Sequence, residues 1–264
     1  MPLAPIGDRV LFYERRGAGQ PLLLIQGMAG HHLVWGEPFL DALAADFDVI
    51  SYDHAGIGES TSRGEQFSTA ELAADALALL DALDVPHAHV LGISMGGMVA
   101  QELVLTAPDR VRSLVLGCTY AGGAGSSLIA PGPIMMFEAM QTGDADKAVR
   151  ATFEANFSAA YVADDAHYPP WLTMALAVQV PVPIVIAQAQ AAFVHDTSTR
   201  LPTVTAPTLV LHGTTDQVIP YLNASLIAAA IPGAKLITFD DVGHLFWLER
   251  HDETVAAVRR HCLS

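Results

Sequence analysis

The sequence predicts an α/β fold: a mostly parallel central sheet flanked by helices, with a helical cap inserted between its two halves. Three observations carry this. Short apolar runs alternate with helix-like segments towards both ends of the chain, the pattern of βαβ units. Some of these runs are apolar at every position, as strands covered on both faces must be. The alternation then stops between about Ala121 and Pro202, where the sequence turns Gly-rich and then helical and apolar, with no clear strand. The expected layout is a core of residues 1–120 and 203–264 and a cap of residues 121–202.

Taken in order, the strands are expected at Val10–Glu14, Pro21–Ile25, Phe47–Tyr52, His89–Leu91, Ser113–Cys118, Pro207–His212 and Lys235–Phe239. Helices are expected at Leu33–Ala45, Thr69–Leu83, Met95–Thr106 and Tyr221–Ala230. Ser68 with Glu71 three residues on reads as a capping box. Pro108 and Pro232 follow the ends of two helices, where a residue lacking its N–H cannot continue the ladder.

Composition excludes several function classes. The 264 residues carry 13 Lys+Arg against 28 Asp+Glu, a net charge of −15, which disfavours nucleic acid and anionic membrane surfaces. A mean hydropathy of +0.36 excludes disorder as the overall state. Two cysteines, Cys118 and Cys262, make no disulfide framework, so a cytoplasmic location is expected. Residues 171–194 carry no charge and are long enough to span a bilayer, but Pro181 and Pro183 interrupt them. They are read as two helical pieces, with one helix starting near Pro183, and no membrane partner is expected.

The chemistry concentrates in Gly92-Ile93-Ser94-Met95-Gly96, which lies between an expected strand and an expected helix. This is the G-x-S-x-G nucleophile elbow, in which a tight strand-to-helix turn exposes a serine hydroxyl beside a helix N-terminus. A glycine turn that only lets a helix pack closely would read the same way. A hydroxyl nucleophile also needs a base and an acid to orient it. Asp216 follows the strand ending at His212, and His244 follows the strand ending at Phe239. In a parallel sheet such positions converge on one edge. Gln26-Gly27-Met28-Ala29-Gly30 follows another strand, so an oxyanion hole would draw on the backbone N–H groups of Met28 and Met95.

With these motifs the chain resembles the α/β-hydrolase fold family, in its cap-bearing esterase, lactonase and haloperoxidase-like branch. The stretch from Pro207 to Pro220, the Gly243-His244 pair followed by Glu249, and the turn Asp53–Ser60 are similar to family patterns. The chain departs from them where Ala55 stands for an Arg, Gln26 for a His, and His251 for a Pro. The resemblance implies a serine hydrolase cleaving a carboxylic ester or lactone through an acyl-enzyme. The same triad would serve perhydrolysis, C–C bond hydrolysis or a lyase reaction, and a non-catalytic ligand receptor is the rival outside enzymology. Ser94 excludes the relatives whose nucleophile is Asp.

No cofactor is expected, and no metal either. His31 with His32, and His87 with His89, lack clustered Cys, Asp or Glu at ligand spacing. Asp240 and Asp241 are weaker candidates than Asp216 for orienting His244. The cap residues Phe137, Trp171 and Ile186 are expected to line an apolar substrate pocket with Gly27, although cap residues that pack only on one another would look alike in sequence; the family resemblance implies that Val218 and Leu245 line it as well. An exposed apolar cap would either close over the site or join a second copy of the chain.

Overall fold

The computed structural model describes residues 2–264. Eight strands form one sheet: β1 (Leu3–Ile6), β2 (Arg9–Gly17), β3 (Gln20–Ile25), β4 (Phe47–Tyr52), β5 (Ala88–Ile93), β6 (Val111–Gly117), β7 (Thr208–Gly213) and β8 (Lys235–Phe239). Their order is β1-β2-β4-β3-β5-β6-β7-β8, with β3 to β8 parallel and β2 antiparallel to both its neighbours. β1 falls outside the strands expected from sequence. It is a short edge strand turned onto β2 at Gly7, and only two of its residues are buried.

The apolar runs explain the layering. In β3, Leu22 and Leu24 pack on one face while Leu23 and Ile25 pack on the other, and all four are fully buried. One face is covered by α2 (Thr69–Ala82), α3 (Met95–Thr106) and α9 (Leu222–Ala230). The other is covered by α1 (Glu37–Ala44), α10 (Phe246–Glu249) and α11 (His251–Cys262). The expected capping box is present, with the Glu71 N–H donating to Ser68 Oγ at 3.2 Å and the Ser68 N–H to Glu71 Oε2 at 2.9 Å. The helix expected over Leu33–Ala45 is instead a 3-10 turn, His32–Trp35, followed by α1. Gly36 separates them at φ +79°, a conformation no helix contains.

Between β6 and β7 the chain forms α4 (Pro131–Gln141), α5 (Ala145–Asn156), α6 (Ala159–Val162), α7 (Tyr168–Ala175) and α8 (Val182–Phe193), with no strand among them. The uncharged stretch at 171–194 thus divides between α7 and α8, with Pro181 as the N-cap of α8. No helix among the described residues is long and apolar enough to cross a membrane.

This topology decides where a site can form. From β3 the chain moves outward to β4, then returns to the other side of β3 for β5. The crevice at that reversal, beyond the carboxyl ends of β3 and β5, is where open α/β sheets place their ligands. It lies between the loop after Ile25 and the turn after Ile93.

Candidate active site

Ser94 sits in the turn between β5 and α3 at φ +53° and ψ −126°, a strained conformation for a residue with a Cβ. The strain is held from several sides. The Ser94 N–H donates to Gly117 O at 2.9 Å, and Thr119 Oγ1 donates to Ser94 O at 2.6 Å. Gly96 is required by the neighbouring strand, because a Cβ there would lie 2.2 Å from Ile25 O. A Cβ on Gly27 would lie 2.9 Å from Ser94 Cβ, so the loop after β3 rests directly against the serine.

Asp216 and His244 arrive from the ends of β7 and β8. His244 Nδ1 lies 2.7 Å from Asp216 Oδ2, and both residues are buried. The carboxylate is fully engaged. Its Oδ1 accepts from the N–H groups of Val218 (2.8 Å) and Ile219 (2.9 Å). Its Oδ2 also lies 3.0 Å from Nε2 of His212, a histidine that sequence reasoning did not single out although it is the last apolar-run residue before Gly213. Burial by itself would raise the Asp216 pKa; the charges and hydrogen bonds of His244 and His212 outweigh it and hold the carboxyl well below its usual range. With Nδ1 committed to Asp216, Nε2 of His244 is the nitrogen left for a reacting group. Ser94 Oγ makes no hydrogen bond to His244 among the described residues; catalytic hydrogen bonds of this kind often tighten only around substrate.

Two backbone donors accompany the serine. Neither the Met28 nor the Met95 N–H donates to a protein acceptor among the described residues, and Met95 opens α3, where the helix dipole favours negative charge. Cys118, left-handed at φ +40° and fully buried, brings its sulfur within 4.8 Å of the Asp216 and His244 ligand atoms. Burial pushes its thiol pKa up, so it stays protonated, and the facing Asp and His atoms are already bonded to each other. That trio is the only group of metal-ligand type among the described residues, and a protonated thiol beside a closed Asp–His pair fits a metal poorly. Cys118 and Cys262 are both free.

The departures from the family pattern have local explanations. Asp53, without an Arg at position 55, accepts from the His32 N–H at 2.7 Å and has His32 Nδ1 at 2.9 Å. Gln26 turns its Oε1 to the Gly27 N–H at 3.1 Å. His251 opens α11, where Pro is favoured only because the first helical N–H has no partner in any case. Glu249 ties cap to core: its Oε1 accepts from the N–H groups of Ser158 and Gly243, both at 2.9 Å. Asp240 and Asp241 are exposed and make no bond to His244 among the described residues.

The expected lining residues scatter. Trp171 packs against Phe153, Phe157 and Tyr168 inside the cap, because aromatic side chains gain most by burying on one another. Phe137 and Ile186 are 60% and 54% exposed, on α4 and α8. Leu245 is buried, with its N–H on Asn156 O, and Val218 is half-buried beside Asp216. Met135, also in the cap, lines a groove of about 440 Å³ with Ile129 and Ile134.

Comparison with known proteins agrees with this architecture. A family model described as the alpha/beta hydrolase fold matches residues 20–250. The chain is 32% identical to RutD of Azorhizobium caulinodans, named as a carbamate hydrolase, over 93% of this chain and 92% of that one. It is 33% identical to BpoC of Mycobacterium tuberculosis, named as a non-heme bromoperoxidase, over 96% and 98%. The solved structure of an N-acyl homoserine lactone degrading enzyme superposes with a TM-score of 0.80 at 30% identity, covering 98% of this chain and 99% of the other.

Proposed function

The chain belongs to the alpha/beta hydrolase fold family, and we propose that within it this protein is a serine hydrolase cleaving a carboxylic ester or lactone of a hydrophobic small molecule. The observation that carries the reading is the buried His244–Asp216 pair at 2.7 Å beside a serine held in a strained elbow. Ser94 Oγ attacks the substrate carbonyl while His244 Nε2 takes its proton. Asp216 keeps the imidazole in one tautomer and stabilises its charged form. The Met28 and Met95 N–H groups receive the oxyanion, a contribution of about 2.7–4 kcal/mol per donor in comparable sites. His244 then protonates the leaving alcohol, and a water activated by the same imidazole releases the acyl group from Ser94.

The similarity to an enzyme named for lactone degradation supports the acyl C–O class, and the apolar cap supports a hydrophobic acyl or ring. The RutD likeness supports a second reading, cleavage of a carbamate by the same residues. Two free, buried thiols fit a cytoplasmic location.

Ser94→Ala tests the core of this reading. It is expected to lower kcat for a short aryl ester by about a millionfold while leaving the thermal midpoint nearly unchanged. Undiminished turnover would remove Ser94 from the mechanism. A panel of esters, lactones and aryl carbamates, each with and without peroxide, assigns the class: kcat/KM highest for esters or lactones supports the proposal, and highest for carbamates replaces it.

A further inference from the structure

The loop that rests against Ser94 is a four-residue turn, closed by the Gly30 N–H donating to Gly27 O at 3.2 Å. Its third residue, Ala29, has φ +57°. A left-handed third residue marks a type II turn, a place normally taken by Gly or Asn because a Cβ is strained there. Types I and II differ by a flip of the central peptide, here Met28–Ala29. Alanine favours the type I orientation, so something outside the turn must hold the other one.

The holding group comes from the cap. The Ala29 N–H, which belongs to that central peptide, donates to Gln188 Oε1 at 2.8 Å, across 159 residues of sequence. Gln188 lies on α8 and is 0% exposed. Its Nε2 has no partner in the protein among the described residues, so the oxygen makes its only bond. The helix is closely seated, since a Cβ on Gly56 would come within 2.6 Å of the Ile184 side chain one turn earlier. On the core side Gln26 Oε1 accepts from the Gly27 N–H, and a Cβ on Gly30 would lie 2.7 Å from that oxygen. The turn is therefore gripped by two buried carboxamides, one from the core and one from the cap.

We propose that Gln188 is a positioning residue that locks the Met28–Ala29 peptide, so that the oxyanion turn takes its working shape only when the cap is seated. This rests on the acyl-transfer reading, in which Met28 supplies one oxyanion donor. A flip would change ψ of Met28 and φ of Ala29, immediately beside the peptide that carries the Met28 N–H. Gln188 touches no reacting atom; it acts through the turn.

Two substitutions separate its atoms. Gln188→Met keeps the length and removes the acceptor, whereas Gln188→Glu keeps an acceptor oxygen and removes Nε2. The Met variant is expected to lose about tenfold or more in kcat with KM within about threefold of the parent, and the Glu variant to recover most of that loss. Hydrogen exchange of the Ala29 amide gives a readout independent of turnover: slow in the parent, about tenfold faster in the Met variant, slow again with Glu. An unchanged kcat in the Met variant, a loss confined to KM, or no recovery with Glu would overturn the assignment. Parent protein whose Ala29 amide exchanges like an open loop would also overturn it, and that measurement needs no variant to fold. Labelling of parent Ser94 by a fluorophosphonate is run first, so that failure of the acyl-transfer reading is told apart from failure of the Gln188 role.

Discussion

The amino and carboxyl ends of the sheet each gather a serine and a histidine, Ser113 and His89 from β6 and β5 at one end and Ser94 after β5 with His244 after β8 at the other, and the two ends behave oppositely. At the amino end His89 Nδ1 lies 2.7 Å from Ser113 Oγ, a closer Ser–His contact than any at the carboxyl end. Yet His89 Nε2 meets the neutral Oε1 of Gln20 at 2.9 Å rather than a carboxylate. Burial and the nearby Arg112 lower the His89 pKa to about 4, so the imidazolium a general base must become is disfavoured. Ser113 is buried in an ordinary strand, against Cys262 Sγ at 3.4 Å. At the carboxyl end the imidazole has a buried, fully hydrogen-bonded carboxylate, and the serine is strained, half-buried and next to free backbone donors. Proximity of hydroxyl and imidazole does not make a nucleophile; a charge partner, access and oxyanion donors do.

Substitutions at the two ends would sharpen or break that contrast. Asp216→Asn is expected to lower kcat by about 10⁴, because the wrong tautomer of His244 would then face Ser94. A loss under tenfold would demote the carboxylate. His212→Phe removes an imidazole whose Nε2 lies 2.9 Å from Ile219 O and 3.0 Å from Asp216 Oδ2, and is expected to cost about tenfold in kcat, from roughly 1–2 kcal/mol of lost orientation. At the other end, Ser113→Ala is expected to change kcat by less than about twofold while lowering stability by about 1 kcal/mol in urea melts. A large activity loss there would erase the distinction.

The smallest effect concerns pH. His89 has a folded-state pKa below the ordinary imidazole value of 6.5, so the folded chain binds that proton more weakly than the unfolded one. Its contribution to stability is complete above pH 6.5 and is lost as pH falls towards 4, at up to about 1.4 kcal/mol per unit. His89→Gln should flatten the thermal midpoint between pH 6.5 and 4.5 relative to the parent. A variant as pH-sensitive as the parent would refute the assignment.

Much of this molecule could be read from its chain. Short apolar runs placed seven of the eight strands, most plainly β3 and β7, which are buried on both faces over most of their length and have few polar positions to disguise them. β1 escaped because a four-residue edge strand buries only alternate residues. Helix α11 went unread although Thr254, Val255, Val258 and Cys262 give it a buried stripe at helical spacing. The positions of Ser94, Asp216 and His244 at strand ends were legible because strand, turn and chain order are local properties. The cap was not legible in the same way: Trp171 and Phe137 are both large and apolar, and only packing sends one into an aromatic cluster and the other into solvent.

Sequence alone determined the layered α/β architecture, the strand-to-helix elbow at Ser94, and the order in which Ser94, Asp216 and His244 follow their strands along the chain. Each depends on short-range patterning, where apolar period, glycine placement and strand-end position leave few alternatives. Folding in three dimensions decided the partners. His32 in place of an arginine on Asp53, Glu249 against Ser158, and Gln188 on the Ala29 amide all join groups that no local pattern relates. A hydrogen bond needs an acceptor within about 3 Å, and which acceptor arrives there follows from how the sheet, its loops and the cap close on one another.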